Sequence, residues 1–144
     1  MIRYTSSVTV AGSPEEVWPY VVERDKQALW SDVPMTPLTA GPLAAGSRMS
    51  LSFGDGPLKA SLTLEITDFE PARRLGFRTV SRGGIQWVGG YRLAPADGGT
   101  AVSQKGTLTF TGLWRLAEPV VGAEIRRNEI AELEKLKAVV EQAT

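Results

Sequence analysis

The sequence predicts an α+β fold in which a curved antiparallel sheet grips a long C-terminal helix. A first strand is followed by a capped helix, apolar and polar residues then alternate from Met49 to Phe110, and a helical period runs from Pro119 to Gln142. A run of strands with a helix before it and a helix after it favours a two-layer fold, in which the sheet and the helices pack around one apolar core. The 144 residues fit a single domain over residues 1–144 that is large enough to bury its own core.

The first strand and the first helix have clear local signals. Val8 and Val10 share the apolar face of a strand. Ser13 precedes Pro14, and Glu16 stands three residues after Ser13, which is the spacing of a capping box with proline in the first turn. This pattern predicts a helix from Pro14 to about Glu23.

The next segment is expected to hold little regular structure before the main sheet. A short helix is predicted over Lys26–Trp30, with Trp18 and Trp30 as core anchors. Ser31–Ser47 is rich in proline and glycine and is predicted to be a loop with at most one short strand. The alternating strands that follow are separated by turns at Gly54–Pro57, Gly83–Gly84 and Asp97–Gly99.

The terminal helix carries one apolar stripe. At 100° per residue, its apolar side chains cover about 120° of the helix surface. The members of the stripe are Val121, Ile125, Leu133, Leu136, Val139 and Val140. This helix is therefore expected to pack along the concave face of the sheet.

Composition excludes several classes of chemistry. The chain has no cysteine and no histidine, so disulfides, thiolate catalysis, Ser-His-Asp triads and most zinc or haem sites are excluded. Sixteen basic and sixteen acidic residues balance, which favours neither nucleic acid nor an anionic membrane as partner. We expect no cofactor, no metal and no membrane span. A signal-peptide pattern is also missing, and we expect a cytoplasmic location.

Glu129 is the first candidate for chemistry, because this carboxylate falls inside the apolar stripe of the terminal helix. If it were desolvated, its pKa would rise and it would serve as a general acid, with Arg126 close enough to pair with it. The alternatives are a partly solvated helix position and a structural ion pair. Glu132 has the same ambiguity and carries less weight.

Three inward-facing residues of the sheet are candidates for ligand binding. Gln104 alternates in step with apolar residues of its strand, so its side chain should point inward. An inward amide needs a hydrogen-bond partner, which would be a ligand carbonyl or hydroxyl, or else a helix residue such as Asn128. Trp87 and Tyr91 flank Gly89 on one strand face, a pattern that suits an apolar slot with one phenolic hydroxyl, although ordinary cores show it too.

A basic stripe is predicted on the opposite strand face. Arg74, Arg78 and Arg82 share this face and would attract an acidic partner. The alternative, which we favour, is a solvated face balanced by acidic neighbours such as Glu65. No glycine-rich loop leads into a helix, so no phosphate-cradling site is predicted.

Several segments resemble one known superfamily. Val8–Trp18 resembles the opening of START-like proteins, also called the SRPBCC or Bet v 1-like fold, and the chain is most similar to the polyketide cyclase/dehydrase and lipid-transport branch. Further segments match sequence features of that branch, so that the resemblance covers nearly the whole chain. These segments are Trp30–Asp32, Gly46–Ser47, Ile66–Leu75 and Glu129–Glu141. The resemblance implies a helix-grip fold with a hydrophobic tunnel between sheet and helix. It also implies members that bind lipids, sterols, plant hormones or polyketides, and some that are aromatases or cyclases.

Three functions are considered. The first is binding of a hydrophobic small molecule that enters beneath the Ser31–Ser47 loop or the Gly112–Gly122 segment. Its expected ligand-binding residues are Phe53, Leu64, Phe77, Trp87, Tyr91, Gln104, Ile125 and Glu129. The second is a cofactor-independent polyketide aromatase/cyclase with Glu129, Tyr91 and Arg126 as catalytic residues. The third is a protein-partner-binding member, which predicts an exposed apolar patch. The sequence specifies no oligomeric state.

Overall fold

The computed structural model describes residues 1–31, 33–53 and 59–143, without the side chains of Phe53, Glu124, Arg126, Asn128, Glu129 and Ile130. Within these residues seven strands form one antiparallel sheet in the order β1-β7-β6-β5-β4-β3-β2. The strands are β1 (Ile2–Val10), β2 (Thr36–Pro37), β3 (Arg48–Phe53), β4 (Ala60–Glu70), β5 (Arg74–Thr79), β6 (Ile85–Ala96) and β7 (Gly99–Phe110). The helices are α1 (Pro14–Val22), α2 (Arg24–Gln27), a 3-10 helix (Gly112–Leu116) and α3 (Glu118–Gln142). This is the predicted helix-grip architecture.

The start of α1 has the predicted capping box. The Ser13 hydroxyl accepts a hydrogen bond from the Glu16 N–H at 3.2 Å, and the Glu16 carboxylate accepts one from the Ser13 N–H at 3.4 Å. The Glu16 N–H also donates to the Ser13 carbonyl at 3.0 Å, so the cap adds a second acceptor for it and supplies the acceptor for the Ser13 N–H. The cap fixes the point at which the chain leaves β1 and enters the helix.

The second helix begins earlier and is shorter than predicted. It is the single turn Arg24–Gln27. The Gln27 side chain ties this turn to its neighbours, since its amide donates to the Val21 carbonyl at 3.1 Å and accepts from the Met35 N–H at 2.6 Å. These bonds bring Trp30 into the core, where its indole N–H donates to the Tyr20 carbonyl. The following loop holds the two-residue strand β2, as predicted.

The strands present one apolar and one polar face, as predicted. Their inward side chains include the fully buried Leu64, Phe77 and Val102. One irregularity was not predicted: the register of β4 shifts between Ile66 and Asp68, so that both Ile66 and Phe69 face the core. The predicted turn at Gly54–Pro57 lies outside the described residues.

Helix α3 lies along β1 and runs in the same direction. Near its start, Gly122 approaches Ile2 so closely that a Cβ there would stand 3.0 Å from Ile2 Cδ1. Near its end, the Lys137 ammonium donates to the Thr9 carbonyl at 3.0 Å, and the Ala11 N–H donates to the Glu141 carboxylate at 2.9 Å. Within the stripe Leu133, Leu136 and Val140 are buried, whereas Val121, Ile125 and Val139 are half-buried. In the part of the chain described, no helix is long and apolar enough to cross a bilayer.

The attachment of α3 to β1 should depend on pH through Glu141. The Lys137 ammonium, which donates to this carboxylate at 2.8 Å, and the Ala11 N–H hold the Glu141 pKa below its ordinary value of 4.5. Because the folded pKa is the lower one, the carboxylate stabilises the fold above pH 4.5 and loses this contribution as pH falls through the folded pKa. We expect Glu141→Gln to destabilise the protein at pH 7 and to have a smaller effect at about pH 3, as measured by urea unfolding. Glu134→Gln, at an exposed position of the same helix, is the control, and an equal effect of Glu141→Gln at both pH values would contradict this account.

Candidate functional site

The inner face of the sheet is built on rows of residues that lie in register across the strands. One row runs from Tyr4 through Gly106 and Gly89 to Phe77. Because the two glycines have no side chain, the Tyr4 phenol lies over them: a Cβ on Gly106 would overlap the ring, and one on Gly89 would stand 3.2 Å from the hydroxyl. The Tyr4 hydroxyl accepts a hydrogen bond from the Trp87 indole N–H at 2.8 Å.

This row changes the interpretation of Gly89. Gly89 leaves space between Trp87 and Tyr91, as predicted. The hydroxyl of Tyr4, a residue of β1, extends into this space. Sequence reasoning missed Tyr4 as a polar group of the site. Its inward parity with Val8 and Val10 was visible, but the register that places it over two glycines was not.

The neighbouring row carries a second polar group. It runs from Ser6 through Gln104 and Tyr91 to Leu75. Gln104 faces inward, as predicted, and its amide donates to the Ser6 hydroxyl at 3.3 Å. The buried Tyr91 ring meets Trp30 edge to face at a centroid distance of 6.1 Å. Two hydrogen-bonded pairs, Tyr4–Trp87 and Ser6–Gln104, therefore interrupt an otherwise apolar surface.

Burial differs among the inward-facing residues. Leu64 and Phe77 are 0% and 1% exposed, so these two expected ligand contacts are core residues in this structure. Trp87 packs edge to face on Phe77 at 4.7 Å between ring centroids, yet it is only half-buried, as are Ser6 and Ile125. Ser6, Trp87 and Ile125 are therefore less completely covered than Leu64 and Phe77.

Helix α3 contains a buried carboxylate. Glu132 on α3 is 8% exposed, one turn before the buried Leu136. A carboxylate at this depth requires polar partners, and Glu132 has an interaction partner in the structure. The side chains of Glu129, Arg126 and Phe53, three of the predicted site residues, lie outside the described residues.

An exposed apolar segment lies at one end of the site. Leu113, Leu116 and Val120 are 86%, 80% and 62% exposed. The segment is held to the sheet by the backbone of Thr111, whose N–H donates to the Gly84 carbonyl at 2.7 Å, and by Trp114 over Gly84. This is the end of β6 on which Trp87 lies. Three large apolar side chains are thus exposed close together in sequence at this end of the sheet.

The outer face of the sheet is polar and contains a separate groove of about 750 Å³. It lies on the side of the sheet opposite α3, and its floor includes Gly76 and Gly90. Farther along β5, the Arg78 guanidinium pairs with the Glu65 carboxylate at 3.3 Å, which confirms Glu65 as an acidic neighbour of the predicted basic stripe. Across the described ranges, no group of three or more carboxylates is arranged to hold a metal ion.

The chain is similar over nearly its whole length to one protein family. The sequence profile of a family described as polyketide cyclase / dehydrase and lipid transport matches residues 1–141. A search of curated protein sequences found no significant match.

Solved structures share the fold at low sequence identity. TTHA0849 from Thermus thermophilus is 17% identical with a TM-score of 0.78, and the match covers 99% of both chains. The di-domain ARO/CYC StfQ from the steffimycin biosynthetic pathway is 17% identical with a TM-score of 0.71, over 99% of this chain and 51% of StfQ. Ara h 8.0201 is 13% identical with a TM-score of 0.65, over 97% of each chain. At such identities the similarity demonstrates the fold alone.

Proposed function

Because the chain belongs to the polyketide cyclase/dehydrase and lipid transport family, we propose that it binds a hydrophobic small molecule, lipid- or polyketide-like, between the inner face of the sheet and α3. The observation that carries this proposal is the incomplete burial of Ser6, Trp87 and Ile125 beside the fully buried Phe77 and Leu64. Trp87 and Ile125 pack against the core and still keep part of their apolar surface exposed. Accessible apolar surface on an inward face is what a hydrophobic ligand requires.

The composition of this surface suits an apolar ligand with few polar atoms. A ligand that buries roughly 300 Å² of apolar surface would gain about 7 kcal/mol before the cost of ordering it. The Tyr4 hydroxyl and the Gln104 amide lie in neighbouring rows of the same face, so they would orient a carbonyl or hydroxyl of the ligand. Tyr91, which pairs with Gln104 across β6 and β7, would help to orient the same ligand group.

The exposed apolar segment provides a route of access. Leu113 and Leu116 lie in the Gly112–Gly122 segment, which is one of the two entrances proposed from the sequence. They would shield a hydrophobic molecule from water as it approaches Trp87. The same patch would suit a protein partner, the third function considered, but the incomplete burial of the inner face favours the small molecule.

The proposal is tested with cis-parinaric acid, a fatty acid whose fluorescence rises in an apolar site. Trp87→Ala removes the half-buried indole and should weaken binding roughly tenfold, which corresponds to about 1.4 kcal/mol. Val88→Ala is the matched control, because the neighbouring side chain on β6 points to the opposite face and is 60% exposed.

Folding of each variant is checked by circular dichroism. If Trp87→Ala does not fold, Trp87→Phe takes its place, since it keeps an aromatic ring but loses the hydrogen bond to Tyr4 and part of the indole surface. Equal affinities for the Trp87 and Val88 variants would show that parinaric acid binds elsewhere, and the proposal would fail.

A cyclase is the second candidate, and the buried Glu132 is the observation that favours it. Cyclisation of a poly-β-ketone removes a proton from a carbon between two carbonyls, and dehydration delivers a proton to the leaving hydroxyl. A carboxyl group at the depth of Glu132 is suited to such transfers, and it joins Glu129, Tyr91 and Arg126, the catalytic residues proposed from the sequence. If the protein is a cyclase, Glu132→Gln should abolish the cyclisation of a poly-β-ketone and leave parinaric acid affinity within about twofold.

A further inference from the structure

We propose that the outer face of the sheet binds an extended acidic segment of a partner protein. The site is the groove of about 750 Å³ on the side opposite α3, and it is independent of the ligand site proposed above. Four cationic residues, Arg3, Arg74, Arg92 and Lys105, line it, against one carboxylate, Asp68. We call this feature the outer groove.

The cations of the outer groove are adjacent across the strands. Arg74 on β5 lies directly opposite Arg92 on β6. Lys105 on β7 is diagonal to Arg92, and Arg3 on β1 is diagonal to Lys105. Like charges on neighbouring strands repel each other and destabilise the sheet when no partner is bound to neutralise them. In a chain with no net charge, their concentration on one face creates a local positive field.

Only one of the four cations is compensated within the described residues. The Arg74 guanidinium pairs with Glu70 at 3.0 Å and lies 4.0 Å from Asp68. In the same part of the chain, no ion pair reaches Arg3, Arg92 or Lys105. Three neighbouring positive charges are therefore available for an acidic partner.

The shape of the groove suits an extended chain. Gly76 and Gly90 pair in register and leave the backbone of β5 and β6 without side chains at the floor. The cations extend over four neighbouring strands, which is about 14 Å at the usual spacing, or four to five residues of an extended peptide. Val88, 60% exposed, adds an apolar contact beside the charges.

Other occupants fit less well. A second copy of this chain, docked through the same face, would bring the four cations against themselves. Single-stranded nucleic acid requires aromatic rings on which bases stack, but the two tyrosines that line the groove, Tyr4 and Tyr91, point to the inner face. An acidic peptide with apolar residues between its carboxylates matches both the charges and Val88.

The test uses a fluorescein-labelled eight-residue peptide of alternating glutamate and valine, followed by fluorescence anisotropy at 50 mM NaCl. We expect the wild-type chain to bind it, with affinity falling as salt rises. The double variant Arg92→Gln/Lys105→Gln should bind roughly tenfold more weakly, since two partly exposed charge pairs are lost. Its thermal stability should not fall, because the change relieves like-charge repulsion.

The matched control is Arg127→Gln/Lys135→Gln, which removes two exposed cations of α3, outside the groove, and should keep the wild-type affinity. Equal weakening in both double variants would mean non-specific attraction and would overturn the proposal. Absence of binding at millimolar wild-type protein would overturn it as well. Binding of tripolyphosphate without binding of the peptide would overturn it too, and would assign the groove to phosphate ligands instead.

Discussion

Replacing Phe77 with alanine should lower the free energy of unfolding by about 3–5 kcal/mol, which is the cost of removing a buried aromatic ring. Phe77 is 1% exposed, lies opposite Gly89 in register, and supports the Trp87 ring at 4.7 Å between centroids. Phe77 belongs to the buried core cluster, where neighbouring side chains relax only partially into the space that a lost ring leaves. Chemical denaturation followed by circular dichroism measures the change.

The control for Phe77→Ala is Val88→Ala on the adjoining strand. Val88 pairs with Arg78 across the sheet and points outward, so its truncation should cost less than about 0.5 kcal/mol. If Phe77→Ala lowered the free energy of unfolding by less than about 1.5 kcal/mol, Phe77 would have to face an open space in the wild-type protein. Phe77 would then be a ligand contact, as the sequence predicted, and not a part of the core.

Replacing Ser6 with phenylalanine should abolish most ligand binding while leaving the fold intact. Ser6 lies on the inner face between Tyr4 and Val8, is half-buried, and its hydroxyl accepts a hydrogen bond from the Gln104 amide at 3.3 Å. A phenyl ring there would occupy the space proposed for the ligand. We expect parinaric acid affinity to fall about tenfold or more, and stability to change by about 1 kcal/mol, the worth of the lost hydrogen bond.

The matched control is Ser7→Phe, which adds the same ring to the exposed face of the same strand. It should leave the affinity unchanged. If the inner face were tightly packed, a phenyl ring at position 6 would have to displace its neighbours, and the cost would exceed about 3 kcal/mol. Such a loss, measured by denaturation, would argue against an accessible site at this position.

The elements that could be predicted from sequence depend on short-range signals. The capping box at Ser13, the parity of the strands and the apolar stripe of α3 each involve residues within a few positions of one another. They were enough to place α1, most of the strands and the long helix. The second helix begins two residues earlier than predicted. The bond from the Met35 N–H to the Gln27 side chain joins positions eight residues apart, and no local pattern reveals it.

The site was harder to predict because it depends on register between distant segments. Tyr4 covers Gly106 and Gly89 only because β1, β7 and β6 are neighbours with this particular pairing. The outer groove likewise requires Gly76 to meet Gly90 and Arg92 to lie diagonal to Lys105. On α3, Glu129 and Glu132 both fall in the apolar stripe. Their angular positions around the helix could not indicate that Glu132 is buried.

The central claim is that a hydrophobic molecule binds under α3, and native mass spectrometry tests it most directly. Wild-type protein, Ser6→Phe and Ser7→Phe are each exposed to the lipid-soluble extract of the producing cells, then desalted and weighed intact. We expect one discrete added mass on the wild-type and Ser7→Phe proteins, and none on a folded Ser6→Phe protein. The same added mass on Ser6→Phe, or no added mass on any of the three, would contradict the claim.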